Sequence, residues 1–127
     1  MRSCGTQTGI NGNQRMSATA TALLIDPSNE LFLSMATVWE VAIKVGLGKL
    51  TLTGSYVPYM TRAIQGYGLT VLPITFEDCA EYESLRFPVL NHRDPFDRLI
   101  VAHAKRNALY VVGNDSDFDA YGVRRLW

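Results

Sequence analysis

The sequence has few cysteines, no long apolar run and no excess of charge of either sign, and each absence excludes a class of protein. Cys4 and Cys79 lie far apart and lack CxxC spacing, so they indicate neither a disulfide framework nor a zinc site. The longest apolar run, Ala108 to Val112, falls far short of the roughly 20 residues that cross a bilayer. Twelve basic side chains balance twelve acidic ones, so no overall positive field attracts nucleic acid or an anionic membrane.

The first 14 residues of the 127-residue chain differ in composition from the rest. They are rich in Gly, Thr, Asn and Gln and have little to bury, which is typical of a segment that stays unfolded. They also lack the apolar stretch of a secretory signal, so we expect a cytoplasmic protein. We therefore predict a disordered or non-native segment over 1–14 and one domain over 15–127.

From Ser17 onward, helical and strand patterns alternate. Helices are predicted after the caps Ser17, Ser55, Thr75 and Asp94 and over 37–45, strands over 30–34, 69–74 and 109–112, an edge strand over 123–127, and a loop over 86–93. Thr75 and Asp78 have the spacing of a capping box. Short apolar strands between helices favour an α/β domain with a mainly parallel sheet, which binds ligands at the carboxyl ends of its strands.

Acidic residues follow these strands or begin the neighbouring helix, and each also has a purely structural interpretation. Glu40 lies one turn into the helix after strand 30–34, with Lys44 at the spacing of a surface ion pair. Asp97 stands in the first turn of the late helix, where its charge also complements the helix dipole. Asp94, just before it, reads as the cap of that helix.

The third acidic segment follows strand 109–112. Asp115 comes directly after this strand and is the better functional candidate, whereas Asp117 and Asp119 look like solvated acids of a turn. Carboxylates that converge within about 4 Å repel by roughly 4 kcal/mol per pair at an effective dielectric near 20, so a cluster needs a cation or raised pKa values. Oxygen ligands select Mg²⁺ or Mn²⁺, which support phosphodiester cleavage. The acids therefore suggest a metal-dependent nuclease.

Other chemistries find less support in the sequence. There is no GxSxG elbow, Walker A loop or GxGxxG motif, and neither His92 nor His103 has the spacing of a metal ligand. His103, with its helical neighbours, reads as a packed or surface residue. Arg93 and Arg98 flank the acids, which leaves open a contact with a phosphate backbone.

Four segments, in this order, resemble the PIN-domain family in its branch of VapC-like toxins. They are LSMATVWEVAIK (33–44), GLGKL (46–50), HRDPFDRLI (92–100) and YGV (121–123) with a final LW (126–127). The resemblance covers about residues 16 to 127. It implies a PIN-like three-layer α/β/α fold and a Mg²⁺- or Mn²⁺-dependent ribonuclease that pairs with a VapB-like antitoxin and is often dimeric. By position it assigns Glu40, Asp97 and Asp115 as catalytic and metal-binding residues.

The chain departs from the family at its start. Family members open with an apolar strand that ends in an Asp-Thr-His-like motif, and nothing in residues 1–15 matches it, so we expect the first strand and its metal-binding Asp to be missing. Two functions remain open: a ribonuclease, with activity impaired by the missing parts, or an inactive PIN remnant that binds an antitoxin or its own copy. An unrelated α/β metal-binding phosphatase would need a strand-terminal Asp nucleophile that the sequence does not show.

Overall fold

The computed structural model describes residues 2–5, 16–86 and 94–127, over which short strands alternate with helices. The strands are β1 (Arg2–Gly5), β2 (Glu30–Ser34), β3 (Thr70–Leu72), β4 (Tyr110–Val112) and β5 (Arg125–Leu126); the helices are α1 (Ala18–Ile25), α2 (Met35–Gly46), α3 (Tyr56–Gly66), α4 (Phe76–Ser84) and α5 (Pro95–Asn107), with a 3₁₀ helix over Ser116–Tyr121. The sheet has the order β3-β2-β1-β4-β5, and every neighbouring pair is parallel. The predicted α/β class with a mainly parallel sheet is confirmed.

The centre of the sheet corrects the expectation of a missing first strand. Arg2–Gly5 pairs with β2 from Arg2 opposite Glu30 to Gly5 opposite Leu33, and on its other side with β4. Composition reflects only which side chains can be buried, whereas a central strand is stabilised by backbone hydrogen bonds to both neighbours, which almost any sequence can make. The rest of the segment predicted to be disordered, residues 1 and 6–14, lies outside the described residues.

Most helix starts follow the predicted capping residues. Ser17 Oγ accepts from the Ala20 N–H at 3.0 Å, and Thr75 and Asp78 form the reciprocal capping box. Ser55 precedes α3 as predicted, but its side chain makes no capping hydrogen bond. Local capping chemistry therefore sets where most of these helices begin.

Several element boundaries differ from the prediction, and two of the differences have a local reason. Helix α2 begins at Met35, two residues before the predicted start, because Ser34 Oγ accepts from the Ala36 N–H at 3.1 Å and caps it. Strand β3 is shorter than the predicted 69–74 because Pro73, which has no N–H to donate, follows its last residue.

The core consists of two apolar clusters. One lies around Ile100, Val101 and Val111, with Phe118 and Tyr121 from the 3₁₀ helix; the other joins β2, α2 and α3 through Leu33, Val41 and Met60. Among the described residues, no helix is long and apolar enough to cross a membrane.

One face of α2 carries apolar side chains that the rest of the described chain leaves exposed. Met35, Trp39, Ile43 and Leu47 recur every four residues along the helix, and Trp39 and Leu47 are 54% and 64% exposed. Residues four apart on a helix lie on one side, so these four form a continuous stripe, which we call the α2 stripe. Contiguous exposed apolar surface of this kind is typical of protein interaction sites.

Candidate functional site

The three acids that the sequence singled out belong to elements that begin toward the carboxyl edge of the sheet. All strands are parallel, so their carboxyl ends meet at the same edge. Glu40 belongs to α2, which begins directly after β2, and Asp115 follows β4 after two residues. Asp97 is the third residue of α5, whose other end leads back into the start of β4. This edge is where parallel α/β sheets bind ligands.

Glu40 is buried, and Lys44 lies one turn further along the same helix. The Glu40 carboxylate is 3.4 Å from the Lys44 ammonium, so the predicted ion pair is present, but Glu40 is buried and the pair is not a surface one. Thr37, one turn before Glu40, has a fully buried hydroxyl without a hydrogen-bond partner among the described residues. A buried polar atom without a partner is costly, so this end of α2 offers a free polar atom beside Glu40.

Asp94 and Asp97 have different roles at the start of α5. Asp94 Oδ1 accepts from the backbone N–H groups of Phe96 and Asp97 at 2.9 and 3.2 Å, which confirms that Asp94 is the helix cap. The Phe96 ring meets the Trp39 ring edge-on, with centroids 5.2 Å apart. Because Trp39 precedes Glu40 and Phe96 precedes Asp97, this contact brings the two acid-bearing turns to one helix interface.

Asp115 is exposed and caps the 3₁₀ helix. Its Oδ1 accepts from the Asp117 N–H at 2.9 Å. Asp119, in the same helix, forms a two-pronged ion pair with Arg125. This hydrogen-bonded pair lowers the pKa of Asp119 and raises the pKa of Arg125, and Asp115 contributes to the second shift through its charge. The prediction that Asp119 is a solvated acid of a turn is confirmed, and this acid also forms the ion pair with Arg125.

The three acids have the right ligand atoms for a divalent cation, but they are not arranged to hold one. Carboxylate oxygens are the ligands that Mg²⁺ and Mn²⁺ prefer. However, no three His, Cys, Asp or Glu side chains within the described ranges are grouped closely enough to hold one ion. The sequence also contains no Asp or Glu before Asp26, so β1 and the segment after it cannot supply a carboxylate. The described residues therefore do not fit a bound metal ion as they stand.

A buried polar chain beneath this edge was missed by the sequence reasoning. His103 Nδ1 lies 2.9 Å from Ser34 Oγ, and His103 Nε2 lies 3.1 Å from both Pro73 O and Asp78 Oδ2. Asp78 Oδ1 accepts from Arg106 Nη1 at 2.7 Å. The only signal in the sequence is that His103 has helical neighbours, which is typical of a packed or surface residue. The packed interpretation is right, but its partners are 69 and 25 residues away.

The hydrogen-bond partners of His103 and Asp78 determine where these two side chains carry hydrogens. Both atoms that face His103 Nε2 are acceptors, a carbonyl and a carboxylate oxygen, so Nε2 carries a hydrogen. Burial by itself raises the pKa of Asp78, but hydrogen bonds from the Thr75 backbone and Arg106 outweigh it and hold the pKa below its ordinary value. The Ser34, His103 and Asp78 side chains are almost fully buried, so this serine and histidine are not accessible to a substrate.

Arg98 has a structural role, in contrast to the phosphate contact that the sequence left open. Its side chain is 1% exposed and donates to the Leu85 and Arg86 carbonyl oxygens and the Tyr121 hydroxyl. The guanidinium also lies 5.0 Å from the centre of the Tyr82 ring. The other flanking candidates, His92 and Arg93, lie outside the described residues.

The fold and the sequence pattern are both similar to those of known proteins. The PIN domain model matches residues 10–123. FitAcB from Neisseria gonorrhoeae is similar over 100% of this chain and 97% of its own, with 19% identity and a TM-score of 0.59. VapBC2 from Rickettsia felis, solved with a fragment of promoter DNA, is similar over 99% and 98%, with 16% identity and a TM-score of 0.68.

A third structure comes from a toxin-antitoxin system. VapBC-5 from Mycobacterium tuberculosis is similar over 98% of this chain and 97% of its own, with 18% identity and a TM-score of 0.63. No curated protein sequence matches the chain. At these identities the structures support the fold, while the family model covers most of the chain. The chain belongs to the PIN domain family.

Proposed function

We propose that this chain is a ribonuclease of the VapC-like toxin type, which hydrolyses RNA phosphodiester bonds and pairs with a VapB-like antitoxin. The observation that supports the proposal is the order of the elements: Glu40 and Asp115 come after the parallel strands β2 and β4, and Asp97 stands in the first turn of α5. The family membership supports it, as do structural neighbours from toxin-antitoxin systems.

The proposal includes Mg²⁺ or Mn²⁺ as the cofactor, with the three acids as its ligands. In metal-dependent hydrolysis the ion activates water and offsets the charge that develops on the phosphate. For this to occur here, the three carboxylates have to come closer together than they are in the structure. Glu40 also has to exchange its contact with Lys44 for the ion.

Calorimetric titration of Mn²⁺ into the purified, folded protein tests the metal site. We expect saturable binding that Glu40→Gln and Asp97→Asn each weaken by roughly 100-fold, the upper range seen even for residues that only support metal ligands. Asp94→Asn is the matched control, because Asn caps a helix as well as Asp does and only the carboxylate is lost. Equal affinity in all variants would exclude the assigned ligands.

RNA cleavage in the presence of Mn²⁺ tests the activity. We expect the wild-type protein to cut RNA and both ligand variants to lose that activity, with the Asp94→Asn control close to wild type. Failure of the folded wild-type protein to cut a broad set of RNAs would refute the ribonuclease proposal. It would leave the family membership intact.

The second candidate is a PIN protein without nuclease activity that acts by binding an antitoxin or its own copy. Two observations favour it: the absence of any acid before Asp26, and the exposed α2 stripe. We expect Leu47→Ser, within the stripe, to weaken binding of a purified antitoxin-type partner at least tenfold. Phe76→Ser is the control, because Phe76 is 85% exposed but lies on α4 outside the stripe. Equal effects of both variants would argue against the stripe.

A further inference from the structure

A single guanidinium group joins the two ends of the segment that carries Asp115. Arg125 Nε and Nη2 donate to the two carboxylate oxygens of Asp119 at 2.9 and 3.1 Å. Arg125 Nη1 donates to the Gly113 carbonyl oxygen at 3.1 Å. Asp115 lies between Gly113 and Asp119 in the chain, so the guanidinium closes the 113–119 loop.

Other contacts also hold the loop, because Phe118 is buried in the core and backbone hydrogen bonds shape the turn. The Gly113 N–H donates to Leu126 O at 3.0 Å, which fixes the start of the loop to the sheet. Beyond this point, the Asp117 N–H donates to Asp115 Oδ1, and the Phe118 N–H lies 3.4 Å from Asp115 O. These bonds shape the turn around Asp115 but do not tie it to the strand. Arg125 makes that connection from β5.

The geometry requires an arginine. The planar guanidinium donates to a carboxylate with two parallel N–H groups and keeps a third donor for a carbonyl, whereas the lysine ammonium is a single point charge. An exposed ion pair by itself contributes little to global stability. The main consequence of this contact is therefore local, in the position of the loop.

We propose that Arg125 is a positioning residue for Asp115: it holds the 113–119 loop against β4 and β5 so that Asp115 is presented at the carboxyl edge of the sheet. The part that concerns RNA cleavage rests on the proposed function. The part that concerns the loop does not.

Amide hydrogen exchange tests the loop independently of any activity. The Asp117 N–H donates to Asp115 Oδ1, and the Gly122 N–H donates to Asp119 O. We expect Arg125→Lys and Arg125→Gln to accelerate exchange at these two N–H groups by about fivefold to tenfold, since one charge-assisted contact closes the loop. Arg124→Gln is the control, because Arg124 is the neighbouring arginine and is exposed. Unchanged exchange in Arg125→Lys would overturn the proposal.

Steady-state RNA cleavage separates positioning from other roles of the arginine. Misplacing Asp115 should lower kcat by about 10- to 100-fold in Arg125→Lys, while KM changes less than about twofold. Lysine keeps the positive charge, so this result would show that charge alone does not support the rate. A raised KM with unchanged kcat would identify a phosphate-binding residue instead and overturn the proposal. A gain of activity in Arg125→Gln would also overturn the proposal, because it would show that the positive charge competes with a cation.

The two hypotheses fail in different ways. Faster exchange in both Arg125 variants, in a wild-type protein that does not cut RNA, would refute the proposed function and support the role of Arg125 in the loop. Normal exchange in the Arg125 variants, together with an active wild-type protein, would support the proposed function and refute the role of Arg125 in the loop.

Discussion

Replacing Asp78 by Asn tests whether the buried polar chain stabilises the fold. Asp78 is 2% exposed and accepts from Arg106 on one oxygen and from His103 and the Thr75 N–H on the other. Asn keeps the shape but has one acceptor oxygen, so at least one buried donor loses its partner and the charge that faces Arg106 disappears.

The magnitude follows from these contacts. A hydrogen bond to a charged group contributes roughly 1.5–3 kcal/mol, and an orphaned buried donor adds a penalty of similar size. Arg106 is partly exposed and can rehydrate, which reduces its share. We expect Asp78→Asn to lower the free energy of unfolding by about 3 kcal/mol, or the melting temperature by about 10 °C for a chain of this length.

The pH dependence provides an independent check. Because the folded-state pKa of Asp78 lies below the ordinary value of 3.8, its contribution is present above that value and is lost as the pH falls through the lower folded pKa. The stability difference between wild type and Asp78→Asn should therefore be full at neutral pH and shrink below about pH 4.

Urea unfolding between pH 3 and pH 7 measures both effects. Glu83→Gln is the matched control, since Glu83 is exposed on the same helix, and it should change stability by less than about 0.5 kcal/mol. A loss below about 1 kcal/mol at pH 7, or a difference between the two proteins that grows toward acid, would refute this reasoning.

Two further predictions concern buried polar side chains. Arg98→Met removes three hydrogen bonds, two of them buried, and should cost about 2–4 kcal/mol in urea unfolding, with Arg98→Lys only partly restoring stability; wild-type stability in the Met variant would contradict the structural role. Ser34→Ala removes the cap of α2 and a partner of His103, so it should cost about 2 kcal/mol, against about 1 kcal/mol for Ser17→Ala, which removes a cap alone. Equal losses in the two variants would show that the His103 contact contributes nothing.

The helices were predictable because their signals are local. The caps at Ser17 and Asp94 and the capping box of Thr75 and Asp78 act over two or three residues, so they can be read directly from the sequence. The strand Glu30–Ser34 was predicted with its observed bounds, because its apolar residues directly follow a turn and precede the next helix. These patterns together also indicated the parallel α/β class.

The first strand shows where a local argument fails. The residues of β1 gave no strand pattern, and their composition indicated disorder. Their place at the centre of the sheet depends on β2 and β4. Arg2 pairs with Glu30, 28 positions further along the chain, and Ser3 pairs with Tyr110, 107 positions further along. A pairing partner that distant leaves no trace in a short polar segment.

The sequence by itself determined the family, the helix caps and the three candidate acids, because these depend on residue type and short spacing. Only the tertiary structure decided how those residues meet. It placed β1 at the centre of the sheet, buried Arg98, joined His103 to Ser34 and Asp78, and closed the Asp115 loop with Arg125. Each of these contacts links positions that are distant in the chain, and burial and hydrogen-bond partners at such distances arise from packing rather than from local propensity.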